Sequence, residues 1–406
     1  MSDLSPGTLQ KGTREYRRAS LVLFVAGFLT FAMLYVVQGL LPAISDDFSV
    51  SPASASLTLS LTTLPLAVAV VVAAAWSEGR GRRPLLVGSL LGAACLTLAA
   101  AASPSFLALL GLRMLTGLVL AGFPAVAMAY VAEEFHPSGL GTAMGLYISG
   151  TGLGGMTGRL AGGLITGFTS WRVAMVCAAL VCLLGAVWVA FQLPASRHFA
   201  VTPGPMRARL SAMRGPLRDP VILKLAACGF VIMGSLVSYY NYLQYRLADA
   251  PFDLADTVIP FVFLIYLSGT VSANWMGRLT DRRSRRGVMM LGLAIMAVGA
   301  LLSLADFLPT VLIGTAAMVF GFFGAHSVAS GFVGAWARQQ RAQASSLYLF
   351  GYHAGSGLAG FVGGVFFGAF GWGGEVGTVL VLLLIGVVVV ARLPERSTRT
   401  EVPDAS

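Results

Sequence analysis

Charged residues are scarce in this 406-residue sequence: Asp, Glu, Lys and Arg make up 11% of it, whereas 56% is hydrophobic. The mean hydropathy of +0.80 is too high for a water-soluble globular protein. Cysteine is rare too, and the four cysteines fall in apolar stretches without metal-ligand spacing. These shortages argue against a disulfide-built secreted domain and against a metal site, and they favour an integral membrane protein.

Motifs of catalysis and nucleotide binding are also missing from the sequence. No stretch resembles a phosphate-binding P-loop, and no nucleophile stands with a base or with a carboxylate pair at a spacing typical of an active site. We therefore expect neither an enzyme nor an ATP-driven pump, and we expect no cofactor. A motif that reads bases is absent as well, so no nucleic-acid partner is expected.

Long apolar runs are what the sequence has instead. A helix needs about 20 apolar residues to cross the hydrocarbon core of a bilayer, and twelve such runs alternate with short polar connections. The sequence therefore predicts an all-α membrane protein with twelve transmembrane helices. The expected spans are 21–44, 55–76, 85–103, 106–131, 141–168, 172–194, 221–246, 256–277, 287–305, 309–334, 343–369 and 375–393.

Basic residues are concentrated in alternate connections. Most of the 27 Lys and Arg occupy the two tails and every second connection, whereas acidic residues such as Asp47, Asp306 and Glu375 lie toward the side that has few basic residues. Cytoplasmic connections are enriched in Lys and Arg, so both termini are predicted to be cytoplasmic. The same bias accounts for the net charge of +10.

A ladder of glycines occurs twice, and the second copy follows the first after 201 residues. Glycines four residues apart share one helix face and let a neighbouring helix approach closely, which is a main route to helix association in lipid. We therefore predict two pseudo-symmetric six-helix bundles, at 1–195 and 220–406, joined by a cytoplasmic linker at 196–219. The glycines expected to pack helices are Gly145, Gly154, Gly158, Gly162, Gly163, Gly355 and Gly363.

The connections after the second and eighth predicted helices carry the same pattern, an acid followed by paired arginines. It resembles the cytoplasmic signature of the major facilitator superfamily, with glutamate in place of aspartate in the first copy. The resemblance implies that these side chains gate the cytoplasmic face, because a carboxylate in a tight turn pairs with arginines or with a helix N-terminus. The alternative is that the arginines only fix topology. The residues concerned are Glu78, Arg82, Arg83, Asp281, Arg285 and Arg286.

The fifth predicted helix resembles the glycine signature of drug:proton antiporters within that superfamily. Gly145, Gly154 and Gly158 keep its spacing, and Arg159 stands where the signature has proline. Together with Arg113 in the fourth helix, this pattern is most similar to the YnfM-like subgroup. The signature is associated with exporters, so the resemblance implies efflux.

Two arginines lie inside predicted spans, Arg113 in the fourth and Arg159 in the fifth. An arginine in the middle of a spanning helix costs about 2.5–3.5 kcal/mol on insertion scales, so each is expected to face a cavity or a partner. Their similar depths permit a shared cationic site. The alternative is a packing role in which each guanidinium bonds helix carbonyls.

Polar and aromatic residues mark the outer ends of the first and seventh spans, which line the central cavity in this superfamily. Such groups suit an organic molecule that needs a few hydrogen bonds. Two embedded histidines titrate near neutral pH and are candidates for proton coupling. The expected substrate-binding residues are Tyr35, Gln38, Arg113, Arg159, Tyr239, Tyr240 and Asn241, and the histidines are His326 and His353.

Aspartate and glutamate are not expected well within any span, although many drug:proton antiporters carry such a carboxylate. Its absence favours neutral or anionic cargo over cationic drugs. The resemblance therefore implies proton-coupled efflux of a small neutral or weakly acidic compound by alternating access, with uptake or exchange of organic anions as the alternative. The expected partners are that small molecule, the proton and the lipid of a bacterial inner membrane, and the protein is expected to be a monomer.

Overall fold

The computed structural model describes residues 8–199, 206–211, 213–337 and 340–395, and it is almost entirely helical. Polar caps start several helices: the Thr13 hydroxyl accepts a hydrogen bond from the backbone of Tyr16 at 3.1 Å. The helices of the first half are α1 (Arg14–Tyr35), a 3-10 segment (Val36–Leu40), α2 (Leu41–Phe48), α3 (Pro52–Arg80), α4 (Arg82–Ala101), α5 (Phe106–Leu120), α6 (Gly122–Glu134), α7 (Pro137–Phe168) and α8 (Trp171–Gln192).

The second half repeats this arrangement after two short helices. Asp219 caps the first long helix of this half, since its carboxylate accepts a hydrogen bond from the backbone of Val221 at 2.8 Å. The helices are α9 (Met206–Ser211), α10 (Arg214–Arg218), α11 (Pro220–Ala248), a 3-10 segment (Ile259–Leu267), α12 (Ser268–Leu279), α13 (Arg285–Leu302), α14 (Leu308–Trp336) and α15 (Arg341–Ala391).

Ten helices of the described chain are long and apolar enough to cross a membrane. One of them, α15, breaks at Gly371, whose φ is +61°, and so contains two of the predicted spans. A further predicted span corresponds to α7, which is not among these ten. This helix has 32 residues and is long enough to cross a membrane, but its many glycines lower its mean hydropathy. The twelve predicted spans are therefore accounted for, and the all-α membrane fold is confirmed.

The chain forms two compact units. The first comprises Met1–Phe48 and Leu61–Leu210, and the second comprises Ser49–Ser60 and Ser211–Ser406. The start of α3 thus belongs to the second unit, where a Cβ added at Gly364 would lie 2.6 Å from the Cα of Ala53. The boundaries proposed from the sequence stay a prediction, and residues 200–205 and 212 of the predicted linker lie outside the described residues.

Glycines bring α1 and α7 into backbone contact in the first unit. A Cβ added at Gly158 would lie 2.6 Å from the carbonyl oxygen of Ala32, closer than real Cβ contacts allow. One helical turn earlier, a Cβ at Gly154 would overlap the carbonyl of Phe28. The seam between these helices therefore depends on the missing side chains, as in other membrane helix pairs with small residues at the interface.

The second unit has the same seam between α11 and α15. A Cβ at Gly355 would overlap the carbonyl of Phe230, and one at Gly351 would overlap that of Ala226. Since Gly351 and Gly355 follow Gly150 and Gly154 at the repeat spacing, the duplication seen in the sequence is also a duplication of helix packing.

The remaining predicted packing glycines differ in their surroundings. A Cβ at Gly162 would lie 3.0 Å from the side chain of Val36, and the amide nitrogen of Gly163 lies 3.2 Å from the Cβ position of Gly39. Gly363 adjoins the side chain of Ser238. The prediction that Gly145 packs against a neighbouring helix is wrong. This residue is exposed, and a Cβ there would meet nothing within 4 Å, because α7 presents this position away from α1.

Candidate functional site

Arg159 is the centre of a polar cluster inside the first unit. It lies in α7 and is 2% exposed. Its Nε donates to the Gln38 side-chain oxygen at 2.5 Å, its Nη1 donates to the Gly155 carbonyl at 2.7 Å, and its guanidinium carbon lies 3.9 Å from the centre of the Tyr35 ring. Three of the residues predicted to bind substrate, Tyr35, Gln38 and Arg159, are thus brought together.

A local change of helix type places Gln38 in this cluster. The α-helix α1 ends at Tyr35 and continues as the 3-10 segment Val36–Leu40, which is uncommon in the middle of a spanning segment and often marks a hinge. A Cβ added at Gly39 would overlap the carbonyl of Arg159, so this residue must be small for the segment to reach α7. The sequence pattern alone does not reveal this change.

Arg113 approaches the same stretch of chain from α5. Its side chain is 0% exposed, and its two terminal nitrogens donate to the carbonyls of Leu34 at 3.0 Å and Met33 at 3.4 Å. Both embedded arginines therefore contact the junction where α1 gives way to the 3-10 segment. Arg113 binds helix carbonyls, as the packing alternative expects, and its predicted contact with substrate stays a prediction.

The three predicted binding residues of α11 are fully buried in the second unit. The Tyr239 hydroxyl pairs with that of Thr315 at 2.9 Å, and the Tyr240 ring stacks on Phe263 at 5.3 Å. The amide nitrogen of Asn241 lies 3.0 Å from the Cβ position of a glycine of α15. All three make contacts within this unit, and their substrate contacts stay a prediction.

The two candidate histidines share an aromatic cluster on α14 and α15. The Nδ1 of His326 lies 2.8 Å from the Tyr348 hydroxyl. Its ring lies 4.9 Å from that of Tyr352, which in turn meets His353 edge-on at 5.1 Å. His353 is 1% exposed, and its Nδ1 has no hydrogen-bond partner among the described residues. The structure therefore brings both histidines into contact with Tyr352.

The paired arginines of the first motif, Arg82 and Arg83, bond residues of the first unit. Arg82 makes an ion pair with Glu133 at 2.6 Å and donates to the Ser77 hydroxyl at 2.5 Å, while Arg83 donates to the Ala190 carbonyl at 2.7 Å. The acid that Arg82 contacts is thus at the end of α6, whereas Glu78 of the motif is half-buried at the end of α3. Gating by these residues stays a prediction.

The matching motif of the second half is arranged differently. The Arg285 guanidinium carbon lies 5.4 Å from the Phe332 ring centre, and Arg286 pairs with Glu395 at 3.5 Å. Asp281 is exposed on the connection between α12 and α13. The two copies of the motif therefore have similar sequences, but their arginines contact different residues.

Glu134 holds two chain segments at the end of α6. The backbone and the ring of His198 bond its carboxylate at 2.9 and 3.1 Å, and its own carbonyl accepts a hydrogen bond from the backbone of Leu9 at 2.8 Å. The side chain of Glu134 is 5% exposed. The segment after α8 and the segment before α1 are therefore anchored at one point.

Replacing Glu134 by glutamine is expected to loosen the segment after α8. A buried hydrogen bond to a charged group contributes about 1.5–3 kcal/mol, so amide exchange in residues 194–199 should rise at least about tenfold. Hydrogen exchange followed by mass spectrometry measures it, with the exposed Glu15→Gln as a control that leaves these amides unchanged. Equal exchange in both variants would show that Glu134 does not anchor the segment.

One buried acid was missed by the sequence analysis. Glu375 was counted among the acids of the outer side, at the first position of the twelfth predicted span, and the structure shows that it lies inside α15 and is 0% exposed. The break of α15 at Gly371 leaves no connection between the last two spans, so Glu375 falls one turn inside the final helix. The expectation that no Asp or Glu lies well within a span stays a prediction, since Glu375 is the first residue of the twelfth predicted span.

Comparison with known proteins finds membrane transporters that resemble this chain in sequence and in fold. A family model described as the Major Facilitator Superfamily matches residues 23–274 and 250–406. An uncharacterized MFS-type transporter of Bacillus subtilis, YybF, is 42% identical over 93% of this chain and 94% of its own. The inner membrane transport protein YnfM of Escherichia coli is 40% identical over 96% of this chain and 93% of its own.

Two further similarities are more distant. A chloramphenicol resistance protein of Streptomyces lividans is 27% identical over 67% of this chain and 69% of its own. The crystal structure of a bacterial homolog to the human lysosomal transporter Spinster has a TM-score of 0.74 over 94% of this chain and 96% of that one, at 16% identity. At that identity the structural similarity shows the fold alone.

Proposed function

The chain belongs to the Major Facilitator Superfamily, and we propose that this membrane transporter exports a small neutral or weakly acidic organic compound in exchange for protons. It is not an enzyme. We further propose that it lies in the bacterial inner membrane with both termini in the cytoplasm, in keeping with the basic connections. Alternating access between two helical bundles would carry the compound across.

One observation carries the direction of transport. Gly154 and Gly158, two of the α7 glycines that resemble the exporter signature, pack against the backbone of α1, and the adjacent Arg159, at the position of the signature proline, bonds Gln38. This coincidence of the signature with a helix contact supports the proposal. The similarity to a chloramphenicol resistance protein supports a neutral organic substrate and gives the first probe to use.

The proposal is tested with the purified full-length chain in proteoliposomes. Radiolabelled chloramphenicol should accumulate against its gradient when the lumen is more acidic than the medium, and collapsing the pH gradient with nigericin should reduce accumulation to that of protein-free liposomes. A counterflow panel of metabolites and drugs then identifies better substrates. Accumulation that persists without any proton gradient would contradict proton coupling.

Exchange of organic anions is the second candidate, and the buried Arg159 favours it. A guanidinium next to an amide and an aromatic ring suits a carboxylate, which accepts charge-assisted hydrogen bonds. Under this alternative, an aromatic carboxylate such as benzoate would exchange in counterflow faster than chloramphenicol does.

Substitution of Arg159 by glutamine is expected to separate the two candidates. Losing one charge-assisted hydrogen bond costs about 1.5–3 kcal/mol, equivalent to at least about tenfold in affinity. For an exporter of neutral compounds, chloramphenicol counterflow should be the larger flux in the wild type and should fall by less than about tenfold in the variant. Arg159→Lys, which keeps the charge, is the matched control. A selective loss of a dominant benzoate flux would instead establish anion exchange.

A further inference from the structure

Glu375 is an embedded carboxyl group to which the proposed function gives no role so far. It lies about one helical turn after the break at Gly371, in the final part of α15, and is 0% exposed. Neither carboxyl oxygen makes a hydrogen bond of ordinary geometry among the described residues. A buried acid without satisfied oxygens requires a physical explanation, because burying an unpaired polar group is costly.

The hydroxyl that adjoins this carboxyl group offers it a lone pair. Ser238 of α11 and an oxygen of Glu375 both lie beside Gly363, where a Cβ would overlap them. The Ser238 hydroxyl donates its own hydrogen to the Ala359 carbonyl at 3.0 Å. The Ser238 oxygen can therefore act only as a hydrogen-bond acceptor toward Glu375. An acceptor suits a protonated carboxylic acid, which has a hydrogen to donate, and does not suit a carboxylate.

No cation faces Glu375 among the residues that the structure describes. None of the ion pairs in those residues includes it. The titratable groups that interact with it electrostatically are Tyr239 and Tyr242 of α11, which are uncharged near neutral pH. The arginine at the end of α11, Arg246, is paired with Asp306.

The other elements near this point contribute neutral groups. The indole of Trp372, one turn before Glu375, donates to the Ser303 carbonyl at the end of α13 at 2.8 Å. Thr315 of α14 bonds the hydroxyl of Tyr239, and Tyr239 interacts electrostatically with Glu375. Ser56 of the α3 segment in this unit interacts with Tyr242. The environment of Glu375 is therefore uncharged on every side that the structure describes.

These surroundings decide which form of the acid is present. Burial of a carboxylate without a cation costs several kcal/mol, whereas burial of the neutral acid costs the loss of one hydrogen bond at most. The neutral acid is therefore the form that this arrangement accommodates.

We propose that Glu375 is a proton-binding site of this protein, loaded while it is buried between α11 and α15 and unloaded when water enters that seam. The link to transport rests on the proposed function. In the proposed orientation, the break of α15 at Gly371 is near the outer face, from which coupling protons would come. Loss of the proton would favour any conformation in which Glu375 is hydrated, and this preference couples protonation to helix rearrangement.

Two measurements on the full-length protein in lipid nanodiscs test the proton site without a substrate. In infrared difference spectra taken between acidic and alkaline pH, the wild type should show the carbonyl stretch of a protonated acid that Glu375→Gln lacks and that the exposed Asp306→Asn retains. Dicyclohexylcarbodiimide, which reacts with protonated carboxyls in apolar surroundings, should label Glu375 in the wild type, and labelling should fall as the pH rises.

The labelling experiment uses only the wild-type protein, so it tests the proposal even if Glu375→Gln folds poorly. An unlabelled Glu375 across the pH range, with equal infrared spectra for the wild type and the glutamine variant, would overturn the proposal. A Glu375 that titrates in a protein whose chloramphenicol flux ignores the proton gradient would leave the proton site established and would contradict only proton-coupled export. The two failures are therefore distinguishable.

Discussion

Replacing Gly154 by alanine is expected to lower the melting temperature of the protein by about 1–4 °C and to reduce transport in proportion to the folded fraction. The added methyl group would overlap the carbonyl of Phe28 in α1, and a backbone atom cannot move aside as a flexible side chain does. Overpacking of this kind costs typically about 1–3 kcal/mol. The repeat makes the same prediction for Gly355→Ala, which would overlap the carbonyl of Phe230.

Each substitution has a control on its own helix. A Cβ at Gly152 of α7 or at Gly368 of α15 would meet nothing within 4 Å. Alanine at these positions should leave the melting temperature unchanged or raise it, since alanine favours helix over glycine by up to about 1 kcal/mol. Melting curves of the four variants in detergent measure the difference. Equal stability of all four would show that the glycine seams do not hold the bundles together.

Replacing Arg113 by methionine is expected to lower substrate counterflow at least about tenfold while the protein still inserts into the membrane. The guanidinium donates to the carbonyls of Met33 and Leu34, and removing a buried partner of this kind costs about 1–3 kcal/mol for each group left unsatisfied. These carbonyls belong to the junction that presents Tyr35 to Arg159, so the loss reaches the candidate site. Chloramphenicol counterflow in proteoliposomes, normalised to protein content, measures the effect.

Arg172→Ala provides the comparison for this prediction. Arg172 is an arginine of the same unit whose ion pair with Asp47 is about 40% exposed, and an exposed pair contributes no more than about 1 kcal/mol. Its removal should change counterflow by less than about fivefold, the factor that corresponds to about 1 kcal/mol. Arg113→Lys, which keeps the charge but not the planar fork of donors, should fall between the two. Full activity of Arg113→Met would limit Arg113 to a minor role.

Much of this fold follows from one-dimensional patterns. Apolar runs of spanning length, the superfamily signature and the spacing of glycines predict helices, family and repeat, and the comparisons and helix packing confirm them. A helical period places Gly154 and Gly158 on one face, so their contact with α1 is predictable. Gly145 shows the limit of this reasoning, because the identity of a residue does not reveal whether a neighbouring helix reaches it.

The candidate site depends on features that a sequence pattern does not reveal. The contact between Gln38 and Arg159 requires the 3-10 segment after Tyr35, and no proline or polar run marks that change. Glu375 stands at the first position of the twelfth predicted span, and the sequence pattern does not reveal whether its side chain is buried. The chain turns at the single residue Gly371 and continues as a helix, and Glu375 lies one turn inside it.

The exchange of a neutral compound for protons is tested most directly by following both in one vesicle. Proteoliposomes that contain pyranine receive external chloramphenicol with no initial pH difference, and the lumenal pH is recorded together with uptake of the label. Because chloramphenicol is uncharged near neutral pH, its entry moves no proton by itself. The account predicts that the lumen becomes alkaline as chloramphenicol enters through the wild-type protein, and that Glu375→Gln lacks this signal. Saturable entry of chloramphenicol with an unchanged lumenal pH would contradict it.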